Sequence, residues 1–144
     1  MKVFICIACG IFIFSCNNSK KETSSVKEEV VYDMYDPSEM SILMNEMYDY
    51  NLELKQQIIS GIIPEEFPEK FLNIHTAELS DFKSRNDKFK VYSEFFIENQ
   101  QEIFNSDSNL DVTERYNNAI NLCVSCHQTE CTGPIPKIKR LLIK

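Results

Sequence analysis

Apolar residues recur at every third or fourth position over much of this chain, which is the spacing of amphipathic α-helices. The first predicted helix runs over 37–60, with Asp36 as its N-cap and Pro37 at its first position. Gly61 followed by Pro64 is typical of a helix end. The apolar face of this helix consists of Met40, Met44, Met47, Leu54 and Ile58.

The same periodicity predicts three further helices, over 68–79, over 87–104 and from Asp111 to His127. The last one opens with Asp-Val-Thr-Glu at 111–114, which has the order of a capping box. Only three glycines occur in the whole chain, and this scarcity favours helices over strands and tight turns. Because short links make neighbouring helices antiparallel, the sequence predicts an all-α, up-down four-helix bundle.

The N-terminal segment has the pattern of an export signal. Residues 1–15 combine one positive charge with an apolar run that is too short to span a bilayer, which takes about 20 residues. The stretch Ile-Phe-Ser-Cys at 13–16 resembles a bacterial lipobox. Residues 1–15 are therefore predicted to be a signal peptide of the lipoprotein type, with Cys16 as the lipidation site. An ordinary signal peptide and an uncleaved anchor are the alternatives.

Residues 16–36 are polar and charged, with too little apolar surface to fold, and predict a flexible tether. The remaining residues, 37–144, form the predicted folded domain. These segments together predict a lipoprotein that is anchored to a membrane on the periplasmic side of a bacterial cell envelope. The tether would let its domain reach partners.

Acidic residues outnumber basic ones, and the formal net charge is −7. Nucleic acid is a poor partner for this chain, because binding to phosphates depends on clustered Lys and Arg. A redox partner protein with a basic docking surface suits the charge better. No glycine-rich phosphate loop, HExxH motif or Ser-His-Asp set is visible, so the sequence does not predict an enzyme.

One stretch carries the candidate chemistry, Cys-Val-Ser-Cys-His at 123–127. Cys-x-x-Cys-His is the attachment sequence of a covalently bound, c-type haem. One helical turn presents the thiols of Cys123 and Cys126 on the same side, where they can form thioether bonds with the two haem vinyl groups. His127 then offers an imidazole nitrogen as the proximal axial ligand. The sequence therefore predicts one covalently bound haem c.

The motif on the last of four helices resembles cytochrome c-prime and related class II c-type cytochromes. The resemblance covers roughly 37–128 and rests on the motif with the preceding Tyr-Asn-Asn-Ala-Ile-Asn-Leu at 116–122. It implies a haem at one end of the bundle and a residue of the first helix over its other face. Class I cytochrome c is excluded because its methionine ligand follows the motif, whereas no Met follows His127. Gln-Thr-Glu-Cys at 128–131 departs from the basic residue usual after class II motifs.

Met44 is the predicted distal ligand, because its distance from the helix end at Gly61 is similar to that of the class II distal position. Met40, Met47 and His75 are alternatives, and so is an open site with no sixth ligand. In an up-down bundle, one end would hold the haem. The side chains predicted to line that end are the 40–47 region, His75, Leu79, Phe89 and Tyr92.

These ligand sets predict different functions. A His/Met iron suits a periplasmic electron carrier. An open, five-coordinate iron would bind NO or CO, as the resemblance to cytochrome c-prime implies. A third interpretation has no haem and assigns Cys123, Cys126, His127 and Cys131 to a Cys3His zinc module.

The residues after the motif carry two further expectations. Cys131 either pairs between two chains to make a homodimer or stays buried as an inert thiol. The basic tail is predicted to pack as a solvated cap through Ile138, Leu141 and Leu142. A patch for haem propionates or for an acidic partner is the alternative role of that tail.

Overall fold

Three long α-helices form where the apolar periodicity predicts them. They are α1 (Glu39–Ile59), α2 (Asp87–Glu102) and α3 (Val112–Glu130), and a short α4 (Ile135–Ile138) follows. Two 3-10 helices complete the regular structure, Glu69–His75 and Lys139–Leu141. Every regular element of the described residues is therefore helical, which confirms the all-α class.

The computed structural model describes residues 36–62, 64–80 and 83–144. The predicted signal peptide, the lipidation site Cys16 and the tether up to residue 35 lie outside the described residues. No helix in the described ranges is long and apolar enough to cross a membrane.

The first helix begins later than predicted because Ser38, rather than Asp36, supplies its cap. The Ser38 hydroxyl oxygen accepts a hydrogen bond from the amide of Ser41 at 3.3 Å, which satisfies one of the free amides of the first turn. The prediction of Asp36 as the N-cap is wrong. The predicted end is confirmed, since α1 stops at Ile59 and Gly61 adopts a φ of +77°, where a glycine has no Cβ to clash.

The second predicted helix is wrong in type and in length, because the chain forms a seven-residue 3-10 helix there. Phe71, Ile74 and Ala77 are all buried, and they follow one another at every third residue. Side chains three apart eclipse in a 3-10 helix, so this geometry points Phe71 and Ile74 into the core. Ala77 follows just after the helix ends at His75.

The helices pack as a ring of neighbours. The 3-10 helix Glu69–His75 contacts α1 and α2, and α3 contacts α2 and α1. Two buried clusters fill the interior. One consists of Met40, Leu43, Met47, Phe71, Ile74, Ala77, Phe89, Phe96 and Ile97. The other consists of Leu54, Ile58, Ile103, Tyr116, Ala119, Ile120, Val124, Ile138 and Leu141. Cys123 packs against both clusters, so the motif lies where they meet.

Three buried polar side chains, one from each long helix, form what we call the polar junction: Asn51, Gln100 and Tyr116. Gln100 Nε2 donates to Asn51 Oδ1 at 3.1 Å, and the Tyr116 hydroxyl donates to the Asn51 carbonyl oxygen at 2.8 Å. The same hydroxyl lies 3.2 Å from the carbonyl oxygen of Leu141. An unpaired buried polar group costs about 1–3 kcal/mol, so these bonds penalise any other alignment of the helices.

The C-terminal tail packs as a cap, as the sequence predicts. Ile138 and Leu141 are buried, and Leu142 is half-buried against the same cluster. Lys55 Nζ donates to the carbonyl oxygens of Arg140 and Leu142, both at 2.8 Å. The tail is thereby fixed to α1.

Arg115 is buried with 8% of its surface exposed, although it carries a charge. Its Nη1 donates at 2.7–2.9 Å to three carbonyl oxygens at the end of α2, those of Glu102, Ile103 and Asn105. The carbonyls of Glu102 and Asn105 also accept backbone amides, at 3.2 and 3.3 Å, and the guanidinium adds a charged donor that joins the end of α2 to α3.

We expect Arg115→Met to lower the free energy of unfolding by about 2–3 kcal/mol, because buried carbonyls lose a charged donor. Lys90→Met is the matched control and should have little effect, since the side chain of Lys90 forms an exposed ion pair with Asp87 at 3.7 Å. Urea unfolding followed by circular dichroism measures both. Equal effects of the two substitutions would contradict this role of Arg115.

Candidate functional site

The Cys-x-x-Cys-His motif lies in the last two turns of α3. Cys123, Cys126 and His127 are each half-buried. The helix continues to Glu130, so the motif keeps helical geometry throughout and its two thiols stand one turn apart.

The imidazole of His127 is held by the backbone of Cys131. Nδ1 of His127 lies 2.8 Å from the Cys131 carbonyl oxygen, and the Cys131 amide donates to the His127 carbonyl oxygen at 3.1 Å. Because a carbonyl only accepts, Nδ1 carries the proton and Nε2 of the neutral ring keeps a free lone pair. Metal-ligating histidines usually have their second nitrogen fixed in this way. Cys131 thus contributes its backbone to the site, a role that the sequence analysis missed.

Three cavities meet at this histidine. The end cavity, of about 280 Å³, lies where α1 and α2 begin and α3 ends. The tail cavity, of about 160 Å³, lies between α1, α3 and the tail, and the inner cavity, of about 40 Å³, lies among the long helices. Met44 and His127 line all three cavities. The structure therefore brings the predicted proximal and distal residues to one place.

Both cysteines of the motif open onto these spaces. Cys123 lines the tail and inner cavities, and Cys126 lines the end and inner cavities. The other predicted lining residues that are found here are Met40, Met47, Leu79, Phe89 and Tyr92.

His75 lies elsewhere. Its side chain is exposed, lines none of the three cavities, and has its Nδ1 3.4 Å from the hydroxyl oxygen of Ser93. The packing gives no support to ligation by two histidines.

Burial raises the pKa of both motif thiols. The pKa of Cys123 rises to about 12, because the thiol is removed from water and because Cys126 lies nearby. The pKa of Cys126 rises to about 11, through burial and through the charge of Glu130. Both groups are therefore thiols rather than thiolates at neutral pH.

The zinc interpretation finds no geometric support. In the part of the chain that the structure describes, no three His, Cys, Asp or Glu side chains are arranged to hold a metal ion. Cys131 is exposed rather than buried among the other candidate ligands.

The donor set fits a covalently bound porphyrin better than a bare ion. It offers one imidazole nitrogen, two thiols and the thioether sulfur of Met44 around predominantly apolar space. An apolar wall suits a macrocycle, and thioether bonds would need both thiols beside that space.

Comparisons with protein-family models, with curated proteins and with solved structures found no match.

The three cysteines differ in exposure, and this difference predicts the order in which an alkylating reagent modifies them. In haem-free protein at pH 8, iodoacetamide should modify Cys131 before Cys123 and Cys126, because the raised pKa values leave the motif cysteines as thiols. Peptide mapping by mass spectrometry measures each rate. Modification of Cys123 as fast as that of Cys131 would show that the motif is open to solvent.

Proposed function

We propose that this protein is a monohaem c-type cytochrome that carries electrons and catalyses no reaction of its own. The observation that carries the proposal is the joint lining of three cavities by His127 and Met44, with a cysteine of the motif in the wall of each. His127 comes from α3 and Met44 from α1, so the two side chains would hold a haem from two different helices.

In this proposal Cys123 and Cys126 hold the haem through thioether bonds. His127 binds through Nε2 while the Cys131 carbonyl oxygen orients the ring through Nδ1. A bound haem supplies an iron that alternates between ferrous and ferric states. Met44 would supply its thioether sulfur to the iron, which would favour a low-spin state with a raised potential. The buried clusters beside the cavities give these groups apolar surroundings.

The finer fold belongs to the same proposal. We interpret α1, the 3-10 helix Glu69–His75, α2 and α3 as the four members of a class II-like bundle in which the second member is short. Each member contacts the two neighbours that an up-down order requires.

The proposed setting is the periplasmic face of a bacterial membrane. Cleavage after residue 15 and lipidation of Cys16 would anchor the chain, and residues 16–36 would tether the domain. The whole chain is acidic, with a formal net charge of −7, so its domain would dock onto a basic surface of a redox partner.

Covalent attachment is the first test. Full-length protein exported in a bacterial host with c-type maturation machinery should carry one haem that stays bound after denaturation, as intact mass and in-gel haem staining detect. The double variant Cys123→Ser, Cys126→Ser should lose it completely, because no thioether bond can form. Cys131→Ser is the matched control and should retain it. Absence of covalent haem from the unmodified chain would refute the proposal.

The distal ligand is tested by Met44→Leu, which removes the sulfur and keeps most of the volume. The reduced protein should change from a sharp, low-spin α band to a broad, high-spin one and should bind CO faster, because the sixth position opens. Met47→Leu alters a buried methionine of the same helix and should keep the low-spin spectrum. A native spectrum that is already high-spin and does not respond to Met44→Leu would instead favour the NO- or CO-binding alternative.

A further inference from the structure

We infer that the polar junction of Asn51, Gln100 and Tyr116 positions the distal ligand, by fixing the level at which α1 meets α3. This inference rests on the proposed function, since it concerns how Met44 reaches the haem. None of the three residues would touch the iron, and each acts on it through Met44.

The spacing along the two helices supports this role. Met44 lies seven residues before Asn51 on α1, and Cys123 lies seven residues after Tyr116 on α3. Seven residues make about two helical turns and about 10 Å of rise, so each pair stays on one face of its helix. Tyr116 bonds to Asn51, and the two helices run antiparallel. Seven residues toward the start of α1 and seven residues toward the end of α3 therefore lead in the same direction, which brings Met44 level with Cys123.

The observed cavities agree with this matching, because Met44 shares the tail and inner cavities with Cys123 and all three cavities with His127. The contact between Asn51 and Tyr116 therefore determines which α1 residue faces the motif.

Burial of the polar junction favours this alignment of α1 over others. Gln100 and Tyr116 are fully buried, and 2% of Asn51 is exposed. Asn51 uses its side-chain nitrogen on the Met47 carbonyl oxygen at 2.8 Å, its side-chain oxygen on Gln100, and its own carbonyl on Tyr116. A slip of α1 by one turn would separate Asn51 Oδ1 from Gln100 Nε2 in a place without water. Buried polar groups fix helix register in this way in other helical assemblies.

Gln100 provides a second position at which the polar junction can be altered. Its Oε1 has no hydrogen-bond partner among the described residues, whereas its Nε2 binds Asn51. Replacing Gln100 by Leu therefore removes an unpaired acceptor together with a bond, so this variant should fold. Neither Gln100 nor Tyr116 lines any of the three cavities, so neither would act on the iron by direct contact.

The experiment uses haem-loaded, full-length protein and measures the rate of CO binding to the ferrous form together with its spin state. Tyr116→Phe and Gln100→Leu should each raise the CO binding rate by about fivefold, the factor expected for one average buried hydrogen bond. Asn117→Ala is the matched control. Asn117 is bonded twice to Ile143 of the tail, at 2.9 and 3.0 Å, and does not contact α1 through these bonds. It should leave CO binding unchanged.

A second arm separates positioning from general loss of stability. In a Met44→Leu background, Tyr116→Phe and Gln100→Leu should add no further change in CO binding, because they act through Met44. Unchanged CO binding in both single variants, an equal rise in Asn117→Ala, or an undiminished rise in the Met44→Leu background would each overturn the inference alone. Failure of the unmodified chain to bind haem covalently would overturn the proposed function and the inference with it.

Discussion

Tyr116 donates its hydroxyl proton to the carbonyl oxygen of Asn51 across 2.8 Å, in a place that water does not reach. A buried hydrogen bond of this kind contributes about 0.5–1.5 kcal/mol, so it favours the observed alignment of α1 and α3. The alignment matters two turns away, where Met44 and the motif line the same cavities. A bond that stabilises the contact between α1 and α3 thus also affects where Met44 lies relative to the motif.

A local constraint adds to this global one. The end of α3 at Glu130 turns the Cys131 carbonyl toward Nδ1 of His127, which leaves Nε2 free. The tautomer and the ring orientation therefore follow from where the helix stops. The position of Met44 depends on packing between helices, whereas the orientation of His127 depends on its contact with Cys131, four residues further along the chain. We expect the proximal side of the site to be the more robust of the two.

The sequence was sufficient for the long helices and the motif, because both depend on local spacing. The apolar faces at Met40, Met44 and Met47 and at Phe89 and Phe96 are buried or line the cavities, as expected. The start of α1 and the 3-10 helix were not predicted correctly, because in each case the sequence allows two local structures that compete. Ser38 and Asp36 are both good N-caps, and a three-residue spacing of Phe71, Ile74 and Ala77 fits a short helical segment of either type. The polar junction was missed as a unit, although Gln100 and Tyr116 each interrupt an apolar face and so carried a visible signal.

The most direct test of the central claim is the X-ray absorption spectrum of the iron in purified, matured protein. If the iron lies between His127 and Met44, its first coordination shell contains five nitrogen atoms and one sulfur atom. This shell should lose its sulfur in Met44→Leu and keep it in Met47→Leu. A shell of nitrogen alone in the unmodified protein, or no bound iron, would contradict the account.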